Sequence, residues 1–144
     1  MTARRDIEAT MTHLGWIFTF AGGILTVFCG IVCKYYIDQA SKLKELIVEI
    51  RLSISDFENH RLKVSQAKAL SNSPSDLKSK LELIPWYWYG LIRHLHLVRL
   101  PPKKKIYKAA KLLPRLAGGV HPFGDPQLRQ AARSIAKEIK DLLA

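Results

Sequence analysis

From Leu14 to Cys33 the chain carries 20 consecutive uncharged residues, LGWIFTFAGGILTVFCGIVC. A helix rises about 1.5 Å per residue, so this stretch matches a hydrocarbon core of about 30 Å. Trp16 stands near one end and Tyr35-Tyr36 at the other, where interfacial aromatics are expected. A cleaved signal peptide would have a shorter apolar stretch and a small-residue cleavage pattern; here the chain continues CKYYID. The rest of the chain is too small to bury such a helix on all sides. The expectation is a single-pass membrane helix over 14–34 after a short tail, 1–13.

Charge sets its direction. Arg4 and Arg5 precede the span, offset by Asp6 and Glu8, whereas Lys34, Lys42, Lys44 and Arg51 follow it. The lysine and arginine bias places the larger C-terminal part in the cytoplasm and the N-terminus outside. Of the net charge of +11, the whole surplus lies beyond the span, because residues 34–144 hold 21 bases and 10 acids. A basic domain of this kind looks for anionic partners, phospholipid head groups or nucleic acid.

One helical face links span and cytosol. In steps of four and three it reads Gly15, Thr19, Gly22, Thr26, Cys29, Cys33, Tyr36, Ala40, Leu43, Ile47, Ile50, Ile54, Phe57, with no charge before Arg61. Small residues in the span allow close approach of helices in lipid, and Gly22, Thr26 and Gly30 form a second ridge beside the first. Beyond the membrane the face turns aliphatic, as a heptad seam in water requires. No Pro or Gly interrupts Ile31 to Ser73. The reading is a coiled-coil stalk over 35–70 and a parallel homo-oligomer. Its isoleucines favour three or more chains. A soluble amphipathic helix packing inside its own domain has the same periodicity. The oligomerisation or pore residues are Gly15, Thr19, Gly22, Thr26, Cys29, Gly30 and Cys33. Two cysteines on one helix face cannot staple a fold.

The remainder, 75–144, reads as a basic helical domain. Ser71 to Asp76 (SNSPSD) predicts a loop and a helix start. A helix from Asp76 to Ile84 ends before Pro85, and Trp86 to Leu100 is helical up to Pro101-Pro102. Lys103 to Leu113 has Ile106, Ala109, Ala110 and Leu113 on one side. Pro114 to Pro122 reads as a loop. Asp125-Pro126 opens a last helix with Leu128, Ala132, Ile135, Ile139 and Leu142 inward. No strand alternation occurs, so the chain is all-α.

Between Glu82 and Asp125 there is no acid in 42 residues, against eight bases. About 3.5 acids would fall there by chance, and their absence marks a surface kept for an anion. The aromatic run WYWY at 86–89 adjoins it. Trp and Tyr can anchor at a lipid interface or stack nucleic-acid bases, and about two of the four belong in a core. The polyanion-binding set is Trp86, Trp88, Arg93, Arg99, Lys103, Lys104, Lys105, Lys108, Lys111 and Arg115. His94, His96 and His121 can add charge at lower pH.

Catalytic patterns are scarce. No phosphate loop, dinucleotide turn or Ser-His-Asp order is present. His94-x-His96 lacks a third ligand, so no metal or cofactor is expected. Arg115 and His121 have the loose spacing of HEPN ribonucleases, a match of the kind chance supplies about once in this composition, and Gly118-Gly119 spoil its helical setting. The chain is read as a non-enzyme.

A small-residue span at Gly15 to Cys33, an aliphatic heptad face to Phe57 and the basic segment Trp86 to Arg115 together resemble the small membrane effectors of bacterial antiphage defence. The resemblance is architectural and assigns no residue a role. It implies an oligomer that depolarises a membrane when a nucleotide or nucleic-acid signal reaches its soluble part. The expected function is thus a homo-oligomeric channel or membrane-perturbing effector gated by an anionic ligand at a basic cytosolic head. The alternatives are a membrane-tethered nucleic-acid- or partner-binding adaptor without a pore, and a membrane-anchored ribonuclease.

Overall fold

The computed structural model describes residues 2–59, 64–119 and 126–144, with side chains over 11–59, 65–117, 127 and 129–144. Five helices follow in order: α1 (Thr2–Glu58), α2 (Val64–Glu82), α3 (Trp86–His94), α4 (Lys103–Gly119) and α5 (Pro126–Leu142). No strand occurs among the described residues. The chain divides into two units, Met1–Tyr36 and Ile37–Ala144.

The first unit is the N-terminal part of α1. It is the one described helix long and apolar enough to cross a membrane. Its large side chains are open on every side, among them Trp16, Phe18, Phe20, Leu25 and Phe28. Thr19 Oγ1 donates to the Gly15 carbonyl and Thr26 Oγ1 to that of Gly22, each at 2.8 Å. Both hydroxyls are thus satisfied within the helix, which lets them sit in hydrocarbon without a second chain.

The second unit has its own core. Ala40, Leu43, Ile47, Ile50 and Ile54 on α1 are 0 to 4% exposed within a single chain. This face is the cytosolic half of the expected seam, and it is already occupied. The chain ends α1 at Glu58 and starts α2 at Val64, so one continuous helix does not run through the 35–70 expected for the stalk. Arg61 and the side chain of Val64 lie outside the described residues. Gln66 Nε2 on α2 donates to Asp56 Oδ2 at 2.8 Å, and Lys140 Nζ on α5 to Glu58 Oε2 at 3.2 Å. An apolar stripe in water must be covered, and neighbouring segments of the same chain cover it without loss of translational freedom.

Two prolines expected to break helices lie inside them. Ser71 to Asp76 is helical, with Pro74 inside α2, and α4 runs through Pro114 to Gly119. Each proline removes a backbone bond at a cost of about 3 kcal/mol. Burial on both sides outweighs it. In α2, Leu70, Ser73, Leu77 and Leu81 form one inward stripe, and Ser73 Oγ donates to the Ala69 carbonyl at 2.7 Å. In α4, Ile106, Ala109, Ala110, Leu113 and Leu116 are buried. Helix α4 packs between α2 and α5. On α5 the inward residues are Ala132, Ala136 and Ile139, followed by Leu143 just past its end, with Ile135 and Leu142 at the margin. The side chain of Leu128 and the expected cap Asp125 lie outside the described residues.

Candidate functional site

Helix α3 starts at Pro85, whose extended backbone (φ −53°, ψ 149°) serves as N-cap and whose carbonyl accepts the Tyr89 N–H at 3.0 Å. The helix was expected to reach Leu100 but stops at His94. There the Leu97 N–H donates to the Ile92 carbonyl at 3.1 Å and the His96 N–H to that of Arg93 at 3.2 Å. These paired bonds form a Schellman motif, whose pivot residue adopts left-handed backbone and is usually glycine. Here the pivot is His96, at φ 54°. A side chain there costs on the order of 1 kcal/mol, and such costs concentrate at functional positions.

The chain then runs through Arg99 to Pro101-Pro102. The Pro102 carbonyl accepts the first amides of α4, from Lys105 at 2.9 Å and Ile106 at 3.3 Å. Between α3 and the start of α4 lies a cleft of about 640 Å³. Trp86, Gly90, Arg93 and His94 line it from α3, His96 and Arg99 from the connection, and Lys103 from α4. Among the described residues it gathers three bases, Arg93, Arg99 and Lys103, and no carboxylate.

Two residues build the cleft floor. Tyr89 is 4% exposed, and its hydroxyl donates to the Pro101 carbonyl, tying α3 to the connection. Lys103 Nζ lies 5.1 Å above the Tyr89 ring and donates to the Ile84 carbonyl at 2.7 Å and the Leu81 carbonyl at 3.4 Å. Lys103 therefore caps the C-terminal end of α2, where a cation also complements the helix dipole. Burial pushes its ammonium below the usual lysine range.

Gly90 is the open position. A Cβ built there meets nothing within 4 Å, so packing does not require glycine. A helical glycine costs about 1 kcal/mol relative to alanine. What it preserves is space in the cleft beside Arg93.

Burial pushes the Tyr89 phenol up to about 12, against the opposing pull of the Arg93 guanidinium. An unfolded tyrosine titrates near 10. Between those values the unfolded chain releases a proton that the folded chain keeps, so stability falls as pH rises through the window. At about pH 11 the expected loss is about 1.4 kcal/mol relative to about pH 9. Lys103 shifts the opposite way, so the loss is read as the difference from Tyr89→Phe. Urea denaturation of both proteins at the two pH values checks it. An equal pH response in Tyr89→Phe would remove the phenol as its source.

Of the expected polyanion residues, the cleft gathers Trp86, Arg93, Arg99 and Lys103. Trp88 is half-buried, and Lys104, Lys105, Lys111 and Arg115 are exposed on or beside α4, outside the cleft. Lys108 pairs with Glu138 at 2.9 Å on the surface. Arg115 is exposed, and its expected companion His121 lies outside the described residues. Sequence reasoning missed Tyr89 and Gly90 as cleft residues. The glycine inside an aromatic helical run was the available signal for one of them. Among the described residues no three His, Cys, Asp or Glu side chains gather as a metal site.

No family model, no curated protein and no solved structure matches the chain. The functional reading therefore rests on its own residues.

Proposed function

We propose that the protein is a membrane-anchored receptor for a phosphate-bearing anion, held by its N-terminal span and binding through the cleft of its cytoplasmic helical head. The observation that carries this reading is the convergence of Arg93, Arg99 and Lys103 on one acid-free cleft. Guanidinium groups match phosphate oxygens in pairs, and Trp86 at the rim offers a flat face. Full-length protein in zwitterionic detergent, titrated with inorganic tripolyphosphate by calorimetry, tests it. Wild type should bind. Gly90→Phe fills the cleft from an open position and should abolish binding without lowering the melting temperature. Equal affinity in that variant would place the anion elsewhere.

A second reading has the span assemble as a channel or membrane-perturbing effector. Gly15, Gly22, Gly23 and Gly30 all have open space where a Cβ would stand, so nothing within one chain calls for glycine. A neighbouring helix would. Because the Ala40 to Ile54 face is covered, this assembly relies on the span. The mass of the detergent-solubilised complex should then correspond to three or more chains, and a monomer would remove the channel reading.

A further inference from the structure

The cleft is bordered by an apolar stripe that the fold leaves uncovered. Tyr87, Leu91 and Leu95 follow at four-residue spacing beside the cleft row Trp86, Gly90 and Arg93. They are 54, 45 and 55% exposed, and Trp86 is 80% exposed. Helix α3 is thus apolar on two sides. Tyr89 and Ile92 face the core, and the opposite side offers aromatic and leucine surface. Leu83 and Leu97, just outside the helix, are also exposed, at 50 and 54%.

Resting on the anion-binding reading above, we propose that the anion is a phospholipid head group: α3 docks its Tyr87–Leu91–Leu95 stripe into the interface of an anionic bilayer while Arg93 and Arg99 hold lipid phosphates at the cleft. An amphipathic face joining aromatics and leucines to flanking bases binds at the head-group boundary. Tryptophan and tyrosine are the side chains that favour that depth. The charge complements an anionic leaflet, since no acid occurs from residue 83 to 124 to repel it. The chain itself keeps the surface near. Seven residues lead from Cys33 to Ala40, the first buried residue of the head, and they can span at most about 25 Å in any conformation. Docking is therefore an intramolecular step at high effective concentration, and modest contact area suffices. A soluble nucleic acid gives the leucines no role.

The test uses the full chain in nanodiscs and reads quenching of Trp86 by brominated acyl chains. Trp16 lies in the span, so the background is Trp16→Phe, and the Trp86 share is the difference from the same background with Trp86→Phe. Trp86 should be quenched in discs containing phosphatidylglycerol and much less in pure phosphatidylcholine. Each of Arg93→Gln and Arg99→Gln should lower the docked-to-free ratio about fivefold, the equivalent of about 1 kcal/mol per base. Leu91→Glu should abolish quenching yet leave tripolyphosphate binding intact. Absence of quenching in the anionic discs, or equal quenching in both lipids, overturns head-group docking. In either event a saturable Trp86 response to soluble tripolyphosphate keeps the anion site and gives it a soluble ligand. No response to either probe removes both readings.

Discussion

Ile50→Ala should lower the stability of the head by about 2–5 kcal/mol, because it empties a site that is 2% exposed in a closed core. In a unit of this size that is a fall of about 10 °C or more in melting temperature. Leu52→Ala, two residues along and 62% exposed, removes more surface carbon yet should cost less than about 0.5 kcal/mol. The contrast follows from which face of α1 is covered within the chain. Concentration separates this from a coiled coil. A seam between chains melts at a temperature that rises with protein concentration. The single-chain core predicts a transition unchanged on tenfold dilution in detergent, in wild type and Ile50→Ala alike.

The stripe itself was visible in the sequence, since Ala40, Leu43, Ile47, Ile50 and Ile54 follow helical spacing without a charge. Its occupant was not, because periods of 3.5 and 3.6 residues hardly diverge over so few turns. No Gly or Pro stands near the end of α1 at Glu58, so local chemistry gave no stop. Pro74 and Pro114 misled in the other direction. Their intrinsic cost is real, but Leu70, Leu77, Ile106 and Leu113 set the helix paths through tertiary burial. The site was half legible. An acid-free window points to an anion, but sequence spacing cannot separate Arg93 and Arg99, which line a cleft, from Lys111 and Arg115, which face solvent. That division depends on where the chain reverses, and the reversal is made by His96 in a conformation that composition does not announce.

The second large effect concerns that cleft. Arg93→Glu with Arg99→Glu changes its lining from three bases to one base and two carboxylates. Both arginines are exposed, so the core is untouched, and a glutamate in the last turn of α3 costs only about 0.3–1 kcal/mol through the helix dipole. Each hydrogen bond lost to a charged group is worth about 1.5–3 kcal/mol, so tripolyphosphate affinity should fall by about 10²–10⁴-fold. Lys111→Glu with Arg115→Glu is the matched control. It alters the net charge equally, outside the cleft. If affinity depends only on total charge, the two double variants will lose it equally. If the cleft is the site, the control loses far less. Lys103 is left in place because it caps α2 through the Leu81 and Ile84 carbonyls, and its loss would confuse folding with binding.

The most direct measurement is hydrogen exchange of the full-length protein in zwitterionic detergent, with and without saturating tripolyphosphate. An anion bound between Arg93, Arg99 and Lys103 should slow exchange at the C-terminal turn of α3, through the His96 reversal and into the first turn of α4. The Leu97 and His96 amides that close the Schellman motif should respond most. The apolar α1 segment from Leu14 to Cys33 should not change. Protection confined to 90–106 is the result this account predicts. Unchanged exchange there while the anion is demonstrably bound, or protection confined to α5, would contradict it.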